Sequence, residues 1–442
     1  MNLTFICVQP CISYYAWQVE VMLKNFVECG IEKKYPIHCL FAYNANETDW
    51  RDKVDFVKKV QKKYESYTNI QFHYYQDTRV YPYAYISSIR PNLLKQHFKK
   101  LPYLNMEAVF YHDCDIIFTK FPDFLEPLCV DDNTWYVSDT KSYISHNYII
   151  GKGDAILQKM CEIIGIHPSL VKQKEAESGG AQYLLKGVDW RFFEKMEKDC
   201  EKLYKDISAL NNDIKHRISN ISLLWVGKEY PKESNARKLV YDEILAECNK
   251  NLSAIDVKIK EIEVHTELGY KITKINYHEL QIWCSDMWAI LWGAWMRGYD
   301  TKVIPEMNFC WATDQAPRWH EVYIYHNAGV TAKDKEKMFF KGNFINELPF
   351  LEEGHTYDRN LAAFKYFSIV KSIGKDSCLI ENKVDNDFFK LHTINRAYNR
   401  FMVCKACENF QPESNTCKLC GCQTEKTILQ DENKCPDKKW SI

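Results

Sequence analysis

The stretch that decides the reading is Ala108-Val109-Phe110-Tyr111-His112-Asp113-Cys114-Asp115-Ile116-Ile117-Phe118. It opens as an apolar run suited to a buried strand, breaks at two aspartates and resumes with three apolar residues. Residues i and i+2 of an extended chain point to the same side, so Asp113 and Asp115 present their carboxylates together. Two carboxylates inside such a run are costly unless paired or metal-bound. A shared hard divalent cation resolves that cost. In open α/β sheets, ligands bind beyond the carboxyl ends of the strands, which is where this pair falls. A cation there can bridge a diphosphate and neutralise its charge as it departs. A bare Asp-x-Asp triplet is common by chance, and two solvated loop aspartates are the plain alternative. The apolar flanks on both sides weigh against it.

Outward from this stretch, strands alternate with helices. Residues 3–8 form a short run of strand formers. Val19, Met22, Leu23 and Phe26 follow at helical spacing, with Gly30 as a stop signal. Residues 37–43 and 70–75 read as strands, and 50–64 and 91–100 as helices. That alternation implies an α/β fold with a mixed, mostly parallel sheet flanked by helices on both faces. The segment from 190 to about 262 is charged, poor in Gly and Pro, and helical in period. Ile207, Leu210, Ile214, Ile218 and Ile221 make one apolar stripe, and Leu245, Leu252, Ile255, Ile259 and Ile262 a second. Two antiparallel helices joined near Pro231, at residues 230–234, would account for both. The expected organisation is a nucleotide-binding region over 1–189 and a coiled-coil-like helical insertion over 190–270, suited to packing or to homo-oligomer formation. The rest of the main domain follows over 271–350, a helical closing segment over 351–400, and a cysteine-rich module over 401–442.

Composition sets outer bounds. The chain has 442 residues, ample for a large core, and a formal net charge of −1, which does not favour general nucleic-acid binding. Aromatic residues reach 14%, a supply of flat faces for sugars or bases, or simply for packing. No apolar run has the roughly 20 residues of a membrane span. The opening Met-Asn-Leu-Thr-Phe-Ile-Cys-Val-Gln-Pro-Cys lacks the basic start and long apolar region of a signal peptide. A cytoplasmic protein with no membrane partner is expected, in a host cytoplasm or a virion if phage-encoded.

Several motifs in chain order resemble the GT-A-fold glycosyltransferases of the glycogenin and bacterial galactosyltransferase type, over roughly residues 1–350. The Asp113-Cys114-Asp115 strand resembles their DxD element. Ser88-Ile89-Arg90 resembles the basic position facing the nucleotide phosphates, and Glu177-Ser178-Gly179-Gly180-Ala181 the small-residue strand beside the sugar. Ser285-Asp286-Met287-Trp288 resembles the acidic motif near the reaction centre, and His326-Asn327-Ala328-Gly329 the H-x-x-G element whose histidine completes the metal site. The resemblance implies Mn²⁺ (or Mg²⁺) held by Asp113, Asp115 and His326, and a nucleotide-sugar donor, UDP-linked. It further implies an acceptor hydroxyl on a glycan, a protein or a modified base. Gln9, at the end of the first strand, would lie near the base and ribose. Arg90 would meet the diphosphate through charge-assisted hydrogen bonds, and Gly179 and Gly180 would let backbone approach a ligand.

The family's Lys-Pro-Trp after H-x-x-G is absent, so Lys333 or Lys341 stands in for its phosphate lysine. The usual Asp-Gln is Asp286-Met287 here, so donor preference does not carry over. Asp286 would accept from sugar hydroxyls or act as a base, unless it is only an acid favoured at a helix N-terminus. Asp314 is a second acid candidate. The resemblance leans toward retention of anomeric configuration, and a general base at Asp286 would give inversion. Trp288, Trp292 and Trp295 sit at helical spacing and read as core.

Six of the 18 cysteines cluster at the end: Cys404, Cys407, Cys417, Cys420, Cys422 and Cys435. Two C-x-x-C turns supply the four thiolates of a structural zinc site, and a segment this short needs such a staple. Four of the six would bind Zn²⁺, with Cys404, Cys407, Cys417 and Cys420 the simplest set. The pattern resembles small metal-binding tails on bacteriophage proteins. Two other classes stand beside the enzyme reading: a non-catalytic viral or phage structural protein, and a nucleic-acid-associated binding protein led by its tail.

Overall fold

The structure is a computed structural model. It describes residues 2–80, 85–131, 133–225, 229–230, 246, 261–265, 270–276, 279–351, 356–376, 400, 404–405, 407–412 and 414–419. The chain forms two compact units: residues 1–11, 26–310 and 319–326, and residues 12–25, 311–318 and 327–442.

The first unit is built on a seven-stranded mixed sheet, as the alternation of elements predicts. Strand β1 (Leu3–Pro10) lies between β2 (Ile37–Tyr43) and β4 (Ala108–His112), and β3 (Ile70–Gln76) forms the edge beyond β2. These four run parallel. Helix α1 (Ser13–Glu28) follows β1, α2 (Trp50–Lys63) follows β2, and α3 (Ile89–Lys100) precedes β4. Beyond β4, strand β7 (Gly179–Leu185) runs antiparallel to both β4 and β6 (Thr134–Asp139), and Asp300–Val303 closes the far edge parallel to β6. Strand order therefore reverses at β1 and β4, and the crevice beyond their carboxyl ends is where such sheets bind ligands.

Both sheet faces are covered. On one, Ile6, Val8, Leu40, Val109 and Tyr111 pack with Leu93, Leu94 and Phe98 of α3. Phe5, Phe26, Phe110 and Phe118 form an aromatic cluster, with centroids 5.1 Å apart for Phe5–Phe110 and 5.4 Å for Phe26–Phe118. Truncating one such ring would cost about 3–5 kcal/mol.

The long helix Trp190–Trp225 starts at Asp189, whose Oδ1 accepts from the backbone N–H of Arg191 and of Phe192. Two expectations for this region are corrected. Phe192, Phe193, Met196, Cys200, Leu203, Ile207 and Ile214 are buried in the same clusters as α3 and the helix Ser285–Met296, so residues 190–214 belong to the core of the first unit. Their heptad-like spacing serves packing on this domain. The second stripe does not end as a helix: Glu261–His265 is a strand, antiparallel to Tyr270–Asn276. The alternation Glu-Ile-Glu-Val-His has the strand period, which a helical reading of Ile262 passes over. Pro231, Leu245, Leu252, Ile255 and Ile259 lie outside the described residues. Trp288, Trp292 and Trp295 are core, with Trp288 Nε1 donating to the Ile144 carbonyl. Among the described residues no helix is long and apolar enough to cross a membrane.

The second unit packs Trp17 edge-on to Phe339 and Phe344, and Trp17 Nε1 donates to the Phe344 carbonyl. The expected closing segment is a helix over Ala363–Asp376, with residues 377–399 outside the described set. In the cysteine-rich part, the Cys407 N–H donates to the Cys404 carbonyl, and Phe410–Gln411 pairs antiparallel with Thr416–Cys417. Cys420, Cys422 and Cys435 lie outside the described residues.

Three histidines in the first unit bear on stability. Burial lowers the pKa of His38 to about 3, of His73 to about 4 and of His97 to about 2, with neighbouring positive charge adding to the effect. Unfolded histidine titrates near 6.5. Below that pH the unfolded chain takes up protons that the folded chain refuses, so stability falls with pH; above it the contribution is complete. Each such group steepens the fall by up to about 1.4 kcal/mol per pH unit. Urea unfolding between pH 6.5 and 4.5 should show this, and His38→Gln should make the slope shallower. An unchanged slope would place the acid sensitivity elsewhere.

Candidate active site

Strand β4 delivers Asp113 to the carboxyl edge of the sheet, and two residues later the chain enters the short strand Ile116–Phe118 with Asp115 at its start. That short strand pairs antiparallel with Ile324–His326, in the register His326 opposite Ile116. The histidine is thereby set beside the aspartates. His326 Nε2 lies 3.4 Å from Asp115 Oδ1 and 3.7 Å from Asp113 Oδ2. One ligand atom from each of the three falls within 4.8 Å of the others, and Asp115 and His326 are buried. Two hard oxygens and an imidazole nitrogen at this separation suit Mn²⁺ or Mg²⁺ with further positions left for water or ligand. The donor set fits the cation expected from the sequence.

Arg90, at the start of α3, ties this group to a third carboxylate. Its two terminal nitrogens lie 2.6 Å from Asp113 Oδ1 and 2.9 Å from Asp286 Oδ2. Asp286 is 2% exposed, in the first turn of the helix Ser285–Met296. Its Oδ1 accepts from the Tyr85 hydroxyl at 2.7 Å, and that hydroxyl in turn accepts from the Asp286 backbone N–H. Burial, together with the charge of Asp286, pushes the Tyr85 phenol well up, so it remains a donor. Both oxygens of Asp286 thus face donors, Arg90 on one and Tyr85 on the other, and the Tyr85 hydroxyl also lies 2.7 Å from the Trp283 carbonyl oxygen.

Sequence reasoning missed Tyr85. Its partner Asp286 is 201 positions away, and nothing local marks a loop tyrosine as the prop of a distant acid.

Gln9 is 1% exposed near the end of β1, and neither amide atom has a hydrogen-bond partner among the described residues. A buried amide left so costs about 1–3 kcal/mol, which a ligand hydrogen bond would recover. Gly179 and Gly180 begin β7. A Cβ at Gly179 would stand 2.5 Å from the Ser138 carbonyl oxygen, and one at Gly180 2.6 Å from the Tyr183 hydroxyl and 2.7 Å from the Met287 methyl. Close packing within the protein leaves no room for a Cβ at either glycine. Ala181, immediately after, holds a left-handed φ of 69°, uncommon for a residue with a Cβ.

Asp314 and Lys341 belong to the second unit. Asp314, expected as a second acid, closes a turn by accepting from the Trp311 backbone N–H at 2.9 Å. Lys341 begins a short 3₁₀ helix, Lys341–Phe344. Lys333 is exposed.

No protein-family model matches the chain, and no curated protein matches it in sequence. Among solved structures it is similar to the apo structure of the bifunctional glycosyltransferase WbbM, at 8% identity and a TM-score of 0.33, over 76% of this chain and 47% of that one. The chain thus spans about half the length of WbbM. It is also similar to the galactosyltransferase LgtC in complex with donor and acceptor sugar analogues, at 12% identity and a TM-score of 0.34, over 84% of this chain and 96% of that one. At scores this low the functional reading rests on the site's own geometry.

Asp115→Asn removes half the charge of the paired carboxylates while keeping size and shape. Calorimetric titration with Mn²⁺ should show affinity weakened at least about tenfold, since one ligand's charge is lost, with the thermal midpoint within a few degrees of wild type. Equal affinity in the two proteins would sink the ligand assignment.

Proposed function

We propose that this chain is a divalent-metal-dependent glycosyltransferase that moves a sugar from a nucleoside-diphosphate sugar, UDP-linked, to an acceptor hydroxyl. The observation that carries the reading is the group Asp113, Asp115 and His326 at the carboxyl edge of β4, joined through Arg90 to Asp286. The motif order along the chain supports the same class.

Asp113, Asp115 and His326 would hold Mn²⁺ or Mg²⁺, which when bound supplies positive charge to a departing diphosphate. Arg90 adds a fixed guanidinium beside that place, suited to bidentate contact with phosphate oxygens. Asp286, held on both oxygens, keeps Arg90 aimed and offers its remaining lone pairs to sugar hydroxyls. This favours a binding and orienting role for Asp286 over that of a general base, and with it retention over inversion. Gln9 stands at the end of β1, where a base or ribose would satisfy its amide.

The C-x-x-C spacing of the cysteine-rich tail suits a structural zinc, although Cys404, Cys407 and Cys417 are not among the groups of described residues gathered at ligating distance. Cys404 and Cys407 share a turn, Cys417 lies in the hairpin that follows, and Asn409 Nδ2 approaches Cys407 Sγ at 3.8 Å. Cys420, Cys422 or Cys435 would complete four ligands.

The test is donor hydrolysis. Purified protein is mixed with a panel of nucleotide sugars, with and without Mn²⁺, and free nucleoside diphosphate is assayed. Metal-dependent release from one donor is expected, and Arg90→Ala should slow it about 10²–10³-fold, as loss of a charge-stabilising donor does. Failure of every donor both to be hydrolysed and to bind in calorimetry would overturn the reading.

A further inference from the structure

Away from the acidic site, a second group of ligating side chains gathers on the sheet. His38 on β2, His73 on β3 and His97 on α3 bring their rings together, with centroids 5.0 Å apart for His38–His73, 5.0 Å for His38–His97 and 4.7 Å for His73–His97. One nitrogen from each lies within 4.8 Å of the other two. His38 and His97 are fully buried, in the layer where Leu40, Leu93, Leu94 and Phe98 pack.

Two features separate this cluster from ordinary packing. His73 Nε2 is buried with no hydrogen-bond partner among the described residues. An apolar layer does not tolerate such atoms without cost, and leucine would fill the same space without it. The third ring is oriented from outside the cluster: the Tyr75 hydroxyl meets His97 Nδ1 at 2.7 Å, which leaves His97 Nε2 turned toward His38 Nδ1 at 2.9 Å. A hydroxyl that fixes one ring nitrogen and so orients the other is the usual support of a metal-bound histidine; here that other nitrogen shares a hydrogen bond with His38 Nδ1, which an ion would replace.

We propose that His38, His73 and His97 form a second metal site, for zinc, distinct from the acidic group at the end of β4. Three neutral imidazoles with a fourth position open are an established zinc donor set. Zinc–nitrogen bonds of about 2.0–2.1 Å at tetrahedral angles set donor nitrogens about 3.3 Å apart. The 2.9 Å between His38 Nδ1 and His97 Nε2 would need to widen by only a few tenths of an ångström. Burial holds all three rings neutral, which is the ligating form. Lys100 is a positive charge that acts on His73 and His97, and its ammonium lies over the Tyr75 ring, 5.5 Å from its centroid. Entry is from the side of His73, the least buried of the three, on the edge strand of the sheet. β2, β3 and the C-terminal end of α3 would be clamped together by the ion, on the face that also supports Arg90 at the other end of α3.

The test uses the full chain carrying Cys404→Ser, Cys407→Ser, Cys417→Ser, Cys420→Ser, Cys422→Ser, Cys435→Ser and Asp115→Asn, so that neither the tail thiols nor the acidic site contributes. After chelator treatment it is titrated with Zn²⁺ against a chromophoric chelator, and its thermal midpoint is followed. One zinc per chain is expected, with a rise of several degrees in the midpoint. Adding His73→Gln should weaken binding at least 100-fold, with the metal-free midpoint little changed. Tyr75→Phe, which keeps all three ligands, should weaken it about 10–100-fold and provides a second reading if His73→Gln does not fold. Absence of zinc binding in the folded background chain would overturn the proposal. So would binding of equal strength in the His73→Gln and Tyr75→Phe variants.

Discussion

Three carboxylates gather at one end of the sheet, and a single guanidinium bridges two of them. Asp113, Asp115 and Asp286 would repel one another if left alone, and Asp286 is buried. Arg90 spans two of them. Its aim depends in turn on α3, which is fastened to the long helix Trp190–Trp225 by Asn92 and Lys95 against Glu197 and by Ser88 against Glu201. Strip out Arg90 and a buried carboxylate loses its main compensating charge, a loss that usually costs several kcal/mol.

This makes α3 the element on which two chemistries meet. Its first turn presents Arg90 to the acidic group. Its last turn presents His97 to the histidine cluster. Between them Leu93 and Leu94 bury the helix against β1 and β2, so a rigid rod with an apolar waist separates a site that wants hard oxygen ligands from one that offers only nitrogen. Their selectivities follow from ligand type.

Much of this was legible in the chain. The alternation of strand and helix periods over the first 118 residues maps onto the sheet, because each element buries a full face and so writes its period into the sequence. Asp113 and Asp115 announced themselves by their cost inside an apolar run. Legibility failed where a pattern was shared. The helix from Trp190 showed a heptad-like stripe, which reads equally well as a coiled coil or as one helix lying on a domain, and only the partner decides between them. Nothing in the sequence near Gly179 and Gly180 shows that Val137, Ser138, Tyr183 and Met287 stand where a Cβ would go. The turn that Asp314 closes with the Trp311 N–H was not read from the sequence either.

What the sequence determined by itself was local: which segments are strands, which faces are apolar, and that two carboxylates interrupt an apolar run, where the structure has a turn between Ala108–His112 and Ile116–Phe118 in place of the extended chain expected. These follow from backbone periodicity, which a few neighbouring residues express. Tertiary structure alone decided the rest. Pairing of Ile324–His326 with Ile116–Phe118 placed a histidine 3.4 Å from Asp115, and Tyr85 reached Asp286 from 201 positions away. His38, His73 and His97 had no common motif until β2, β3 and α3 packed together. Contacts of that kind depend on strand register and helix docking, which are set by the sum of core packing, and no short stretch of sequence carries that sum.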